Sequence, residues 1–236
     1  YEICVGLCCN NKGCMVKLFN RKQMTELIKM IAVIDYGAGN IRSVYKALKH
    51  IGCDCVITRD KNEILNADGA VLPGVGSFGD TMDTMKSYGI KDTVIEYINS
   101  GKPFLGICLG LQLLFPESEE SPNVKGLSVF DGTITKIPSG EGLKIPHIGW
   151  NSLKINKKSR LFKGVEQNAY VYFVHSYFLN ASDRSIVSAQ TEYGVTIDAA
   201  VEKGNVFATQ FHPEKSGETG LKILRNFADI ANGRKE

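Results

Sequence analysis

Phe104-Leu105-Gly106-Ile107-Cys108-Leu109-Gly110-Leu111-Gln112-Leu113-Leu114-Phe115 is the stretch on which the fold of this chain turns. Residues 104–107 form a short apolar run that reads as a buried strand, and the run from Leu109 reads as an amphipathic helix. A single cysteine stands at the junction. Gly106 and Gly110 lie two residues before it and two after, the Gly-x-nucleophile-x-Gly spacing of a sharp strand-to-helix turn. Such a turn needs small neighbours, because the nucleophile sits on strained backbone with another segment close by. It also aims the sulfur at the start of the helix, where unpaired N–H groups and the helix dipole favour a thiolate. The competing reading is a buried cysteine packed as a small hydrophobe, the commoner fate of this residue. The stretch alone leaves both open.

The same alternation extends on the N-terminal side. Residues 30–35 are a continuous apolar strand ending in Tyr36-Gly37-Ala38-Gly39-Asn40, and Ile41, Val44, Tyr45 and Leu48 then mark one helical face. Gly52 closes that helix. Strands follow at 54–58 and 69–72, with a short helix at 62–66 between them, and helical segments at 80–86 and 90–99 lead to the Phe104 strand. Strand–helix alternation of this kind predicts an α/β fold, an open and mostly parallel sheet flanked by helices. Pro116 is expected to end the elbow helix after two turns. Beyond it, β-branched runs at 128–137, 169–178, 186–191, 199–201 and 206–210 predict an added antiparallel region. A final helix is expected over 217–231, with Leu224, Phe227, Ala228 and Ala231 on one face.

The 236 residues suffice for one domain with a substantial core. No apolar run is long enough to cross a bilayer, and nothing resembles a secretory signal. The first 29 residues differ in texture from the rest. They hold four of the seven cysteines, and five basic residues against two acidic ones give them the +3 net charge of the whole chain. The remainder is formally neutral, so its charge makes no case for nucleic acid or membrane as a partner. Cys4, Cys8, Cys9 and Cys14 lack paired C-x-x-C spacing, so no metal is expected there. Residues 1–29 are expected to be an N-terminal extension, disordered in part or helical over 23–29, with the domain at 30–236. Cys53, Cys55 and Cys108 are too few for a disulfide framework, which favours a reducing, cytoplasmic setting.

Among four histidines, His212 stands out because it opens His212-Pro213-Glu214 after an apolar strand. Pro213 biases His212 toward extended backbone. In an extended segment residues i and i+2 share a side. Glu214 can then orient one ring nitrogen and leave the other as a base, the pair of roles a cysteine nucleophile requires. A solvated loop with an incidental His and Glu is the plainer alternative. His50, at the end of the first helix, reads as a surface residue, and His175, at a strand end, as a structural one. Leu72-Pro73-Gly74-Val75-Gly76-Ser77-Phe78-Gly79 also follows a strand, and its glycines would let backbone N–H groups approach an oxyanion. It lacks the Lys-Ser/Thr ending of a P-loop and a clean G-x-G-x-x-G, which disfavours nucleotide binding. A plain glycine turn stays open. All three segments follow strands, so they can meet at the carboxyl end of one sheet.

With these pieces in order, residues 30–236 resemble the class I, triad-type glutamine amidotransferases. Asp35-Tyr36-Gly37-Ala38-Gly39-Asn40, Pro146-His147-Ile148-Gly149-Trp150-Asn151 and His212-Pro213-Glu214-Lys215-Ser216 resemble in particular the glutaminase subunits of imidazole glycerol phosphate synthases. The resemblance implies a flavodoxin-like α/β fold and no cofactor. It also implies a Cys108–His212–Glu214 triad acting on L-glutamine. Gly76, Gln112, Ser176 and Tyr177 would hold that substrate, and Gly74, Val75 and Leu109 would supply oxyanion contacts. It further implies a heterodimer with a (β/α)8 cyclase subunit, in histidine biosynthesis, that Tyr36, Asn40, Trp150, Asn151 and Lys215 would approach. Alternatives are a glutaminase for another synthase, such as one amidating a sugar, a catalytically silent scaffold that binds a partner, and a cysteine peptidase on a similar sheet.

Overall fold

In the computed structural model of the chain, residues 5–10, 13–18, 29–37, 39–140, 142–156 and 158–233 are described. The first strands, β1 (Val5–Asn10) and β2 (Gly13–Leu18), pair antiparallel with each other. Next come β3 (Met30–Ile34), α1 (Ile41–His50), β4 (Asp54–Thr58), α2 (Lys61–Asn66) and β5 (Gly69–Gly74). They are followed by α3 (Phe78–Ser87), α4 (Ile90–Asn99), β6 (Phe104–Cys108), α5 (Leu109–Gln112) and β7 (Glu117–Ser118). The second half holds β8 (Gly132–Lys136), β9 (His147–Ser152), β10 (Lys154–Ile155), β11 (Tyr170–His175) and β12 (Tyr177–Ala181). It closes with β13 (Val187–Glu192), β14 (Thr196–Lys203), β15 (Val206–Thr209) and α6 (Gly217–Ala231).

Eight strands form the main sheet, in the order β10-β13-β14-β15-β6-β5-β3-β4. Pairing is parallel from β15 to β4 and antiparallel from β15 to β10, the mixed architecture expected from the sequence. Alternation along β3 shows why both faces are covered. Ala32 and Ile34 pack with Leu72, Phe78, Met82 and Tyr97 on one side, while Ile31 and Val33 pack with Val44, Leu48, Leu224 and Phe227 on the other. A strand buried on both faces has to be apolar throughout, as residues 30–34 are. Two smaller sheets lie beside it: β11 and β9 pair antiparallel, and in β12-β8-β7 the β12–β8 pair is antiparallel and the β7–β8 pair parallel. The expected antiparallel region is thus shared between these sheets and β13 to β15 of the main one.

Several expectations need correction. Two antiparallel strands, β1 and β2, occupy part of the extension; the helix expected over 23–29 falls, apart from Lys29, outside the described residues. The elbow helix is one turn rather than two, and all of its residues are buried. The carbonyls that would carry it into a second turn are claimed by another segment. Leu113 O accepts from Leu127 N at 2.8 Å and Leu114 O from Val129 N at 2.8 Å, so the chain turns before Pro116 can act. The run at 169–178 divides at Ser176 into β11, which pairs with β9, and β12, which pairs with β8. β9 was missed because it buries His147 and exposes Ile148 and Trp150, the reverse of an ordinary half-buried strand.

Candidate active site

β5, β6 and β15 are neighbours, and their carboxyl ends bring the three chemistry-bearing segments together. Cys108 closes β6 opposite Gly74 of β5. Its backbone has φ 55° and ψ −106°, a strained conformation for a residue with a side chain. The flanking glycines have a steric cause. A Cβ on Gly106 would lie 2.5 Å from Gly110 O, and one on Gly110 would lie 2.0 Å from Leu72 O. Gly74 is equally constrained, since a Cβ there would meet the Tyr36 hydroxyl at 2.5 Å and Leu109 Cβ at 2.9 Å. The elbow therefore rests directly against the glycine loop. Gly76 within that loop has φ 114° with open space beside it.

His212 follows β15 and is fully buried. Its Nδ1 lies 2.8 Å from Glu214 Oε1. The two residues meet as expected, but through a 3-10 turn at Pro213–Lys215 rather than along extended chain. Ser216 fixes the turn by donating Oγ to His212 O at 2.6 Å while accepting from Tyr172 N at 3.0 Å. His212 Nε2 is buried without a hydrogen-bond partner among the described residues, which leaves it for the thiol. Burial pulls the imidazole pKa down, but the neighbouring Cys108 and Glu214 side chains favour the protonated ring, overcome this and raise it to about 10.

The thiol has two further neighbours. Cys108 Sγ donates to Val174 O at 3.9 Å and accepts from Gln210 Nε2 at 3.7 Å. Gln210 is fully buried, and its Oε1 accepts from Gln112 Nε2 at 3.1 Å. Gln112 Nε2 also donates to Tyr177 O at 3.0 Å. With both amide protons committed, the group Gln112 retains for a ligand is its carbonyl oxygen. Ser176 O accepts from Ile137 N at 2.9 Å. Sequence reading missed Gln210; its only signal is an amide side chain two residues before His212, at the end of an apolar strand.

Two residues expected to approach a partner surface make contacts with the interior. Tyr36 is 1% exposed and donates its hydroxyl to Pro73 O at 2.8 Å, behind the glycine loop. Burial against the β5 end left it no route to a surface. Asn40 turns inward to the triad, donating to Glu214 Oε1 at 2.5 Å. Asn151 is half-buried, with its amide on Glu192 O at 2.9 Å, whereas Trp150 and Lys215 are exposed. Among the described residues no three His, Cys, Asp or Glu side chains converge as metal ligands.

Comparison with known proteins gives this geometry a family. Residues 32–231 match the family glutamine amidotransferase class-I. The imidazole glycerol phosphate synthase subunit HisH of Caldanaerobacter subterraneus subsp. tengcongensis is 52% identical over 201 residues, covering 85% of this chain and 98% of that protein. The subunit of the same name from Methanothermobacter thermautotrophicus is also 52% identical over 201 residues, with the same coverage. A solved structure of PurLQS from Thermotoga maritima shares the fold, with a TM-score of 0.67 at 22% identity over 86% of this chain and 99% of that one. The chain belongs to the glutamine amidotransferase class-I family and, within it, to the family of imidazole glycerol phosphate synthase subunit HisH.

Proposed function

We propose that this chain hydrolyses L-glutamine to glutamate and ammonia through a thioester on Cys108. The ammonia passes to a (β/α)8 cyclase subunit that makes imidazole glycerol phosphate and aminoimidazole-carboxamide ribotide in histidine biosynthesis. The observation that carries the reading is the placing of Cys108, His212 and Glu214 at the ends of adjacent strands, in a chain 52% identical to HisH subunits.

His212 Nε2 holds the proton of the Cys108–His212 pair, and Cys108 Sγ bonds to the side-chain amide carbon of glutamine as the carbonyl electron pair moves to oxygen. Glu214 holds the ring through Nδ1 and stabilises the charge it carries. Backbone N–H groups around Gly74, Val75 and Leu109 receive the oxyanion. The C–N bond then breaks, and His212 gives its proton to the departing ammonia. Water attacks the thioester with His212 now as base, releasing glutamate and restoring the Cys108–His212 pair. Gly76, Gln112, Ser176 and Tyr177 hold the substrate, Gln112 through its free carbonyl.

The partner surface is the outer face of the β9–β11 sheet. Four large hydrophobic residues are exposed among those described, and three of them, Ile148, Trp150 and Tyr170, share this face. Clustering of that kind marks a contact surface rather than scattered exposure. Val174, whose carbonyl meets the Cys108 thiol, lies on the same sheet, so the surface borders the nucleophile. Lys215 extends it beside Glu214. The working unit is residues 30–236, with 1–29 as an extension; the family match over 32–231 supports that boundary. The small number of cysteines over residues 30–236, too few for a disulfide framework, supports a cytoplasmic setting.

Glutamate release from glutamine, measured with and without the cyclase subunit and its nucleotide ligand, tests the reading. Stimulation by the partner is expected. Glutaminase activity indifferent to the partner would remove the synthase assignment and leave the hydrolytic one.

A further inference from the structure

Two buried histidines outside the triad are hydrogen-bonded to each other, and the mechanism above uses neither. His147 is 2% exposed and His175 is 6% exposed, with His147 Nδ1 3.1 Å from His175 Nε2. Groups of known polarity stand at both ends of the pair. At one end, Asn151 Oδ1 accepts from Ser152 N at 2.8 Å and its Nδ2 donates to Glu192 O at 2.9 Å, which sets the amide's orientation. The same Nδ2 lies 3.5 Å from His147 Nε2, so that nitrogen is the acceptor and the proton of His147 is on Nδ1. At the other end, His175 Nδ1 lies 2.9 Å from Tyr177 O, a carbonyl that can only accept, so His175 also carries its proton on Nδ1.

The middle bond is then determined. His147 Nδ1–H donates to His175 Nε2, and every link points the same way, from Asn151 to Tyr177. A second proton on either ring would set two donors against each other. The surroundings oppose one as well. Burial draws the His147 pKa down to about 4 and that of His175 to about 3, and for His175 the charges of His147 and His212 add to the fall, against the pull of the Tyr177 carbonyl. The Tyr193 ring, with its centroid 3.8 Å away, and the Phe173 ring, at 4.7 Å, sandwich His147 and fix its plane.

The far end of this chain touches the substrate machinery. Tyr177 O also accepts from Gln112 Nε2, Gln112 bonds Gln210, and Gln210 reaches Cys108 Sγ. We infer that His147 and His175 are positioning residues, a neutral relay of fixed tautomers that holds the Tyr177 carbonyl, and through it the Gln112 amide, in register with the Cys108 thiol. The inference rests on the proposed glutamine site and adds to it the reason Gln112 faces a ligand with its oxygen. The relay begins on β9, the strand that exposes Trp150, so the partner surface and the glutamine site share one hydrogen-bond chain.

Two measurements on the full chain test this. The first is long-range 1H–15N correlation of the histidine rings, assigned by single substitutions. His147 and His175 are expected as neutral Nδ1–H tautomers that do not titrate between pH 8 and 5.5; an Nε2–H tautomer, or titration near 6.5, at either residue would overturn the inference. The second is glutaminase kinetics with the cyclase present. In H175F the KM for glutamine should rise about tenfold or more, with kcat within about threefold of wild type. H175N keeps a donor where Nδ1 stood and should recover most of the loss. Equal damage in both variants, or an unchanged KM in H175F, counts against the relay. If H175F does not fold, H147F and H147N make the same comparison. Failure of the glutamine site itself shows separately, as wild-type protein without glutaminase activity, and the ring tautomers then decide the relay alone.

Discussion

Asn40 Nδ2 and His212 Nδ1 converge on a single oxygen, Glu214 Oε1, at 2.5 and 2.8 Å. The start of the first helix thus reaches the loop after the last strand and braces the orienting carboxylate. Asn40 can do so because its backbone is left-handed, with φ 70°, at the start of α1. Asparagine adopts that conformation more readily than most residues. A hydrogen bond to a charged group is worth roughly 1.5–3 kcal/mol, so N40A should lower kcat about 10- to 100-fold with little change in KM. Steady-state glutaminase assays with the cyclase present check this.

C108A should reduce glutamate release by about a thousandfold or more, since no other group among the triad can form the thioester. The small side chain keeps the elbow's packing, so the melting temperature should stay within a few degrees of wild type. Measuring both separates loss of chemistry from loss of fold.

The His212 pKa of about 10 carries a pH signature. A histidine whose pKa is raised on folding contributes stability that is complete below its unfolded value of about 6.5 and is lost as pH rises toward 10. E214Q removes one of the groups that raise it. The decline in melting temperature between pH 6.5 and 10 should therefore be smaller in E214Q than in wild type. The alkaline limb of kcat/KM should also move to lower pH in the variant.

G110A places a methyl group 2.0 Å from Leu72 O, a backbone atom that cannot move without shifting β5. About 3 kcal/mol of destabilisation is expected. For a domain of this size that is roughly 6–12 °C in melting temperature. Calorimetry decides it, and an unchanged melting temperature would contradict the elbow geometry.

W150A should leave glutaminase turnover of the isolated chain unchanged within about twofold, because the ring is 55% exposed and meets Tyr172 rather than the triad. Loss of an aromatic anchor at an interface costs about 2 kcal/mol, or roughly 30-fold in Kd for the cyclase. Calorimetric titration of the two subunits measures it.

Much of the site was legible because its parts are local. Gly106, Cys108 and Gly110 announce an elbow by spacing alone, since the steric demand of a tight turn falls on residues two apart. His212 and Glu214 are equally close in sequence. Helix and strand positions in the first half followed from periodicity, and the helix Gly217–Ala231 matched its expected bounds. Misreadings came where a residue's partner is distant. The resemblance placed Tyr36 and Asn40 near a partner surface, and only the return of the chain some 170 residues later gives Asn40 a carboxylate to hold.

The order of strand, glycine and nucleophile along the chain determined by itself that this is an α/β protein with a cysteine at a strand-to-helix turn. Those features depend on steric and hydrophobic preferences within a few neighbouring residues. Which groups surround the cysteine was decided by tertiary structure alone. Gln210, Gln112, Val174 and the His147–His175 pair reach the site from the residue after β15 and from α5, β9 and β11, and their polarity follows from which acceptor each donor meets in space. Hydrogen bonds over such separations leave no periodic trace in the sequence, because each needs only one polar atom placed by a fold already formed.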